Sequence, residues 1–259
     1  MLVMVGSLLV GALPFSLFLL ALASMNLREF YQLISREEVQ PQQRWGQILM
    51  ASLFFPLITV CLYGSVSYPI LIFCVLALVM IFITELYREQ AQPFHNIAYT
   101  VLGVMFVALP FMFFYGIAFL QEGYSWHLPL GFLILLWAND TGAYMVGIKF
   151  GKHRLFERHS PKKSWEGFIG GALISLTAAA VLSYYFKDLG LIEWLGMSAI
   201  LVIGATFGDL VESMLKRALS AKDSGSLLPG HGGLLDRFDG LLIAAPLVYV
   251  YLDLILNYY

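Results

Sequence analysis

Residues 2–23, 48–63 and 66–84 contain no Asp, Glu, Lys or Arg. An uncharged apolar run of about 18 or more residues is long enough to cross the hydrocarbon core of a bilayer as a helix. Only 12% of the chain is charged and 59% is hydrophobic, whereas a soluble globular domain carries about 25% charged residues. A soluble enzyme, a disordered chain and a secreted disulfide scaffold are therefore excluded. The expected fold class is all-α, a polytopic integral membrane helical bundle forming a single transmembrane domain over 1–259. The two cysteines, Cys61 and Cys74, lie inside apolar runs and read as small buried hydrophobes. A net charge of −2 gives no electrostatic footprint for a nucleic-acid partner.

The apolar blocks parse as 15–33, 45–63, 68–87, 97–120, 128–150, 167–186, 191–215 and 238–258. That is eight full spans, preceded by a short amino-terminal helix in 1–12 that stops at the turn signal Gly11-Ala12-Leu13-Pro14. No basic residue precedes the first apolar run, so a cleavable signal peptide is not expected. The spans before 128 read as scaffold, and 128–259 as the catalytic spans with their loops.

Basic residues set the orientation. Arg28, Arg36, Arg44, Arg88, Lys149, Lys152, Arg154, Arg158, Lys162, Lys163, Lys216, Arg217, Lys222 and Arg237 fall in alternate connections, and only Lys187 falls in the others. The positive-inside rule places the basic loops in the cytoplasm. The expected location is a bacterial-type cytoplasmic membrane with the site facing the cytoplasm.

Two of those loops carry chemistry. At the end of the span 191–215, Asp209, Glu212, Ser213 and Lys216 share one helical face. Polar groups so placed must face protein or water, because lipid exposure is costly. Downstream come Lys222-Asp223-Ser224-Gly225, then Pro229-Gly230-His231-Gly232-Gly233, then Asp236-Arg237-Phe238-Asp239. Glycines around His231 make an open backbone whose N–H groups can meet an anion. Carboxylates from two helix ends with Lys and Arg between them suit Mg²⁺ carrying phosphates. Taken pair by pair, the bland readings are a tight turn, an N-cap and a surface ion pair; they account poorly for the whole string.

In the other loop, Ser160-Pro161-Lys162-Lys163-Ser164 interleaves hydroxyls with ammonium groups, as phosphate ligation requires. Its bland reading is an ordinary positive-inside loop. Asp140, inside the span 128–150, shares a stripe with Tyr144, Gly147 and Gly151. An intramembrane carboxylate is a functional candidate, and close glycine-mediated helix packing is the companion reading. His95, His127, His153 and His159 are given no role, and Asp253 reads as interfacial.

The string from Ser213 through Lys216-Arg217, Lys222-Asp223 and Leu228-Pro229-Gly230-His231-Gly232-Gly233 to Asp236-Arg237-Phe238-Asp239 resembles the signature of the phosphatidate cytidylyltransferases, also called CDP-diacylglycerol synthases. Asp140–Tyr144 and Ser160-Pro161-Lys162-Lys163-Ser164-Trp165-Glu166-Gly167 also resemble segments of that family. The likeness covers roughly the carboxyl-terminal half; the amino-terminal half is similar only in hydrophobic character, and its first span looks shortened by about ten residues.

The resemblance implies the reaction of CTP with phosphatidate to give CDP-diacylglycerol and pyrophosphate, with Mg²⁺, in an all-helical homodimer. The number of cations stays open between one Mg²⁺, a second, and an accompanying K⁺. On this reading a phosphatidate oxygen attacks the α-phosphorus of CTP and pyrophosphate leaves in line, by positioning and charge neutralisation. Asp209 and Asp236 hold metal, and Asp239 is a further ligand or orients one. Lys162, Lys163, Lys216, Arg217 and Arg237 neutralise phosphates. Ser160, Ser164, Ser213, Lys222, Asp223, His231, Gly232, Gly233, Asp140 and Tyr144 complete the substrate-binding candidates. No protein base is needed, since a phosphomonoester is largely ionised at pH 7, with a second pKa of about 6. Two other classes stay open: a CTP-dependent enzyme acting on a prenol or archaeal-type lipid, and an ion-coupled transporter with Asp140 and Asp209 as its relay.

Overall fold

The computed structural model describes residues 2–64, 68–121, 123–221, 224–225 and 233–258. Its helices are α1 (Leu2–Val10), α2 (Ala12–Ile34), α3 (Gln43–Tyr63), α4 (Tyr68–Leu86), α5 (Pro93–Gly103), α6 (Leu109–Ile117), α7 (His127–Phe150), α8 (Trp165–Tyr185), α9 (Leu191–Ala218) and α10 (Asp239–Tyr258). A π turn over Val104–Ala108 joins α5 to α6 into one helix. Pro110 explains it: without an N–H it cannot bond the carbonyl four residues back, and a widened turn absorbs the clash of its ring.

Local chemistry sets the helix ends. Gly11, between α1 and α2, has φ of 145°, a backbone region that side chains disfavour. Pro14 falls in the first turn of α2, where no intrahelical N–H is required. Pro93 opens α5 at its first position, with φ already set for a helix.

Six helices are long and apolar enough to cross a membrane among the described residues: Ala12–Ile34, Pro93–Ile117, His127–Phe150, Trp165–Tyr185, Leu191–Ala218 and Asp239–Leu256. Ile72–Leu86 is a shorter apolar stretch. Ile72, Phe73, Val75 and Leu76 on α4, and Ile169, Leu173 and Val181 on α8, are exposed. Apolar faces of this extent suit lipid rather than water. The chain is an integral membrane protein.

The chain divides into two compact units, residues 1–116 with 223–237, and residues 117–222 with 238–259. The first therefore takes in the segment just before α10 as well as the amino-terminal helices. Its core holds Phe15, Phe30, Tyr31, Phe54, Phe111, Phe114 and Tyr115, all fully buried. Tyr31 donates to the Thr100 carbonyl at 2.6 Å. The buried Glu85 accepts from Gln42 at 2.5 Å, Asn96 at 2.6 Å and Arg88 at 2.8 Å, tying the ends of α3, α4 and α5 together. A buried carboxylate is tolerated only when satisfied in this way.

The second unit packs α7 against α8 and α9 against α10 around the fully buried Trp194. Ser175 of α8 bonds the Leu135 carbonyl at 3.1 Å and Ser198 at 2.9 Å. One feature of this unit departs from an all-helical expectation. Between α7 and α8 the basic connection forms an antiparallel hairpin, β1 (Arg154–Phe156) with β2 (Ser160–Ser164), pairing Arg154 with Ser164 and Phe156 with Ser160. Pro161 is tolerated there because a two-stranded sheet consists only of edges.

Candidate active site

The hairpin is held at its base. Ser164 caps α8, accepting from the Gly167 amide at 3.1 Å, the N-cap geometry that serines favour. The Glu166 carboxylate accepts from the Lys152 amide at 3.0 Å and contacts His153 Nδ1 at 2.6 Å. Successive strand residues point to opposite faces, so the adjacent lysines part company. Lys162 is exposed, while Lys163 Nζ lies 2.6 Å from Asp209 Oδ2.

α9 is 28 residues long, about 42 Å at 1.5 Å per residue, against roughly 30 Å of hydrocarbon. No charged residue occurs from Trp194 to Gly208, so the excess length falls in the polar turns from Asp209 onward. There the predicted face is formed: Ser213 donates to Asp209 Oδ1 at 3.3 Å, and Lys216 Nζ lies 2.6 Å from Glu212 Oε2. Glu212 is fully buried. Lys216 and Arg217 occupy the last turn of α9, where the helix dipole favours cations.

Asp140 of α7 and Asp239 of α10 complete the group. Asp239 is the first residue of α10, and its Oδ1 accepts from the Gly240 amide at 2.6 Å. Asp209, Asp140 and Lys163 all act electrostatically on Asp239, and Asp209 and Lys163 act on Asp140. Three carboxylates thus share the field of one closely paired ammonium. Such an excess of carboxylate oxygens over positive charge suits a hard divalent cation. The donor chemistry fits Mg²⁺; among the described residues, no three His, Cys, Asp or Glu side chains converge closely enough to hold a metal as they stand.

Asp236 belongs to the other unit. It lies in a 3₁₀ turn, Leu235–Arg237, and its Oδ2 accepts from the Ser224 amide at 3.2 Å and the Gly233 amide at 3.0 Å. The Gly233 N–H is thus engaged with Asp236. Around this turn sits a residue that the sequence reading passed over. Glu29 of α2, buried, accepts from the Leu234 amide at 2.8 Å, the Leu235 amide at 3.2 Å and the Ser224 hydroxyl. Near the end of a span, Glu29 looks like one more interfacial charge, and no local pattern marks it.

Of the other sequence candidates, Tyr144, Arg217 and Arg237 are exposed, and Ser160 is half-buried in β2. Lys222, Asp223, His231 and Gly232 lie outside the described residues. The roles of Ser164 and Glu166 in fixing the hairpin had a legible cue, a serine placed just before an apolar run.

Comparison with known proteins places this geometry in context. The sequence model of the cytidylyltransferase family matches residues 1–255. A protein of Staphylococcus aureus (strain COL) named phosphatidate cytidylyltransferase is 43% identical over 161 residues, 61% of this chain and 60% of that protein. A protein of the same name from Staphylococcus haemolyticus (strain JCSC1435) is 42% identical over 161 residues, with the same coverage. The match thus spans about 60% of the length of these relatives.

Proposed function

We infer the activity from one premise: the chain belongs to the cytidylyltransferase family. It joins CTP and phosphatidate into CDP-diacylglycerol and releases pyrophosphate, as the names of its relatives indicate. The observation that carries the reading is the grouping of Asp209 and Asp239 with Lys163 and with Asp140, which lies within α7. A site for two phosphate-bearing substrates needs positive charge against the phosphates and carboxylates that can hold a counter-cation, and this group supplies both.

In the reaction an oxygen of the phosphatidate phosphate forms a bond to the α-phosphorus of CTP, and the bond from that phosphorus to the β-phosphate bridging oxygen breaks. Asp209 and Asp239 would hold Mg²⁺, with Asp140 in the same unit; Asp236 is a metal ligand on the motif resemblance alone. Bound there, Mg²⁺ would neutralise phosphate oxygens. Lys163 stands against Asp209 and turns to a phosphate when substrate brings its own negative charge. Lys162, Arg217 and Arg237 supply further cations from exposed positions, and Lys216 does so while compensating Glu212. Ser160, Ser213, Tyr144, Lys222, Asp223, His231, Gly232 and Gly233 complete the substrate-binding set. Gly233 shapes the backbone around Asp236, and Ser164 fixes the hairpin that presents the lysines. The work is positioning and charge compensation rather than proton transfer.

The protein crosses the membrane eight times after a short amino-terminal helix, acts as a homodimer in a bacterial-type inner membrane, and faces its site to the cytoplasm. The loop charge asymmetry supports that orientation, and CTP is available on that side.

Membranes containing the protein are incubated with cytosine-labelled CTP and, separately, phosphatidate, a polyprenol and an archaeal-type ether lipid. Label entering the lipid fraction only with phosphatidate is the expected result. Label entering with another lipid would reassign the substrate, and no lipid labelling with any of them would overturn the reading.

A further inference from the structure

Glu29 lies some two hundred residues upstream of the groups it contacts, and nothing in the reaction as drawn above uses it. Its buried carboxylate collects three donors: the Leu234 and Leu235 amides at 2.8 and 3.2 Å, and the Ser224 hydroxyl. An ionised carboxylate is acceptor-only and takes all three. These donors stand on both sides of residues 226–232, so one side chain ties together the two flanks of the motif segment. Ser224 and Gly233 in turn give their amides to Asp236.

The glycines fit the same design. A Cβ on Gly225 would come within 2.9 Å of Glu29 Cγ and Cδ, and a Cβ on Gly233 would strike the Ser224 hydroxyl and the Glu29 carboxylate. Both positions admit no side chain because Glu29 already fills the space. Conversely, the carboxylate can reach three donors only because the backbone comes this close.

We propose that Glu29 is a positioning residue that clamps the flanks Ser224–Gly225 and Gly233–Leu235 and so fixes the turn that aims Asp236. The proposal rests on the functional reading above for what Asp236 does, but the clamp itself is independent of it. Any change that leaves α2 intact and removes the three acceptor contacts lets the turn shift, and a displacement of about 1 Å at a reacting centre can cost on the order of 100-fold in rate.

The test uses the full-length protein in detergent or nanodiscs, with the variants Glu29→Gln, Ser224→Ala and Gly225→Ala. Glu29→Gln keeps the size but replaces one acceptor with an NH₂ group that faces donors. Two readouts are taken: amide hydrogen exchange at Leu234 and Leu235, and kcat and KM for CTP with phosphatidate. Glu29→Gln should speed exchange at those two amides by about tenfold or more, leave the α2 amides protected, and lower kcat by about tenfold or more in the folded protein. Gly225→Ala should follow it in both readouts, and Ser224→Ala should give a smaller shift of the same sign. A purely structural role would lower the melting temperature while folded protein kept its kcat and KM. Wild-type exchange at Leu234 and Leu235 together with wild-type kcat in Glu29→Gln overturns the clamp. If Glu29→Gln does not insert, the same null result in Ser224→Ala and Gly225→Ala does so. A wild-type protein that makes no lipid product would instead count against the functional reading, and the exchange measurement would still decide the clamp.

Discussion

Lys163 Nζ lies 2.6 Å from Asp209 Oδ2, joining the basic hairpin to the polar end of α9. Both side chains are about one-third exposed, so the pair is bathed by solvent and can exchange partners. A pair of this kind contributes little to stability, typically 0–1 kcal/mol. Its use lies in keeping an ammonium and a carboxylate ready at one place. Lys163→Gln should therefore melt within a few degrees of wild type while losing about tenfold in kcat/KM, roughly 1.4 kcal/mol. Lys162→Gln, on the opposite strand face, should lose less. Steady-state kinetics of the two purified variants check this; equal losses would remove the distinction between the lysines.

Asp239 and Asp140 make a second prediction. Each Asp→Asn change keeps shape and removes a charge that a hard cation needs. Both should lower turnover and raise the Mg²⁺ concentration for half-maximal rate. Asp253→Asn, fourteen residues along α10 from Asp239 and so about 21 Å away, should stay near wild type. Mg²⁺ titrations of the three variants decide it, and an unshifted Mg²⁺ dependence in both Asp140→Asn and Asp239→Asn would take those residues out of the site.

Glu212 and Lys216 behave differently because Glu212 is buried, with its side chain 1% exposed. Lys216→Met should destabilise the protein by on the order of 3 kcal/mol, since it strips the ammonium from a buried carboxylate. The double change Glu212→Gln, Lys216→Met should recover much of that stability without recovering activity. Thermal unfolding in detergent, set beside turnover, reads both effects; a double variant as unstable as Lys216→Met would contradict the pairing.

Orientation can be checked on a Cys61→Ala, Cys74→Ala background. A cysteine replacing Glu157, exposed in the hairpin turn, should resist an impermeant maleimide in intact cells and react in inverted vesicles. A cysteine replacing Gln121 should do the reverse. Labelling of the Glu157 position in intact cells would invert the proposed topology.

The helices were legible because uncharged length and apolar composition alone decide what can cross a bilayer. The face uniting Asp209, Glu212, Ser213 and Lys216 was legible too, since helical periodicity fixes it. The hairpin at 154–164 was not, because a short basic loop carries no periodic apolar signal and its strands depend on Glu166 and the Ser164 cap. Which lysine meets Asp209 follows from strand register, which a loop assignment cannot supply. The partnership of Glu29 with Leu234 lay beyond reach for another reason: it is a contact between distant segments, and a single carboxylate at a helix end has many equivalent local readings.

The central claim, that the carboxylates beside Lys163 form the site of nucleotidyl transfer, is tested most directly at Asp209. Purified Asp209→Asn is compared with wild type for conversion of labelled CTP and phosphatidate at saturating substrate and Mg²⁺, with thermal unfolding recorded in parallel. The account predicts a protein that inserts and unfolds like wild type but turns over on the order of 100-fold more slowly, with partial recovery as Mg²⁺ is raised. A well-folded Asp209→Asn protein with wild-type turnover at limiting Mg²⁺ would contradict it.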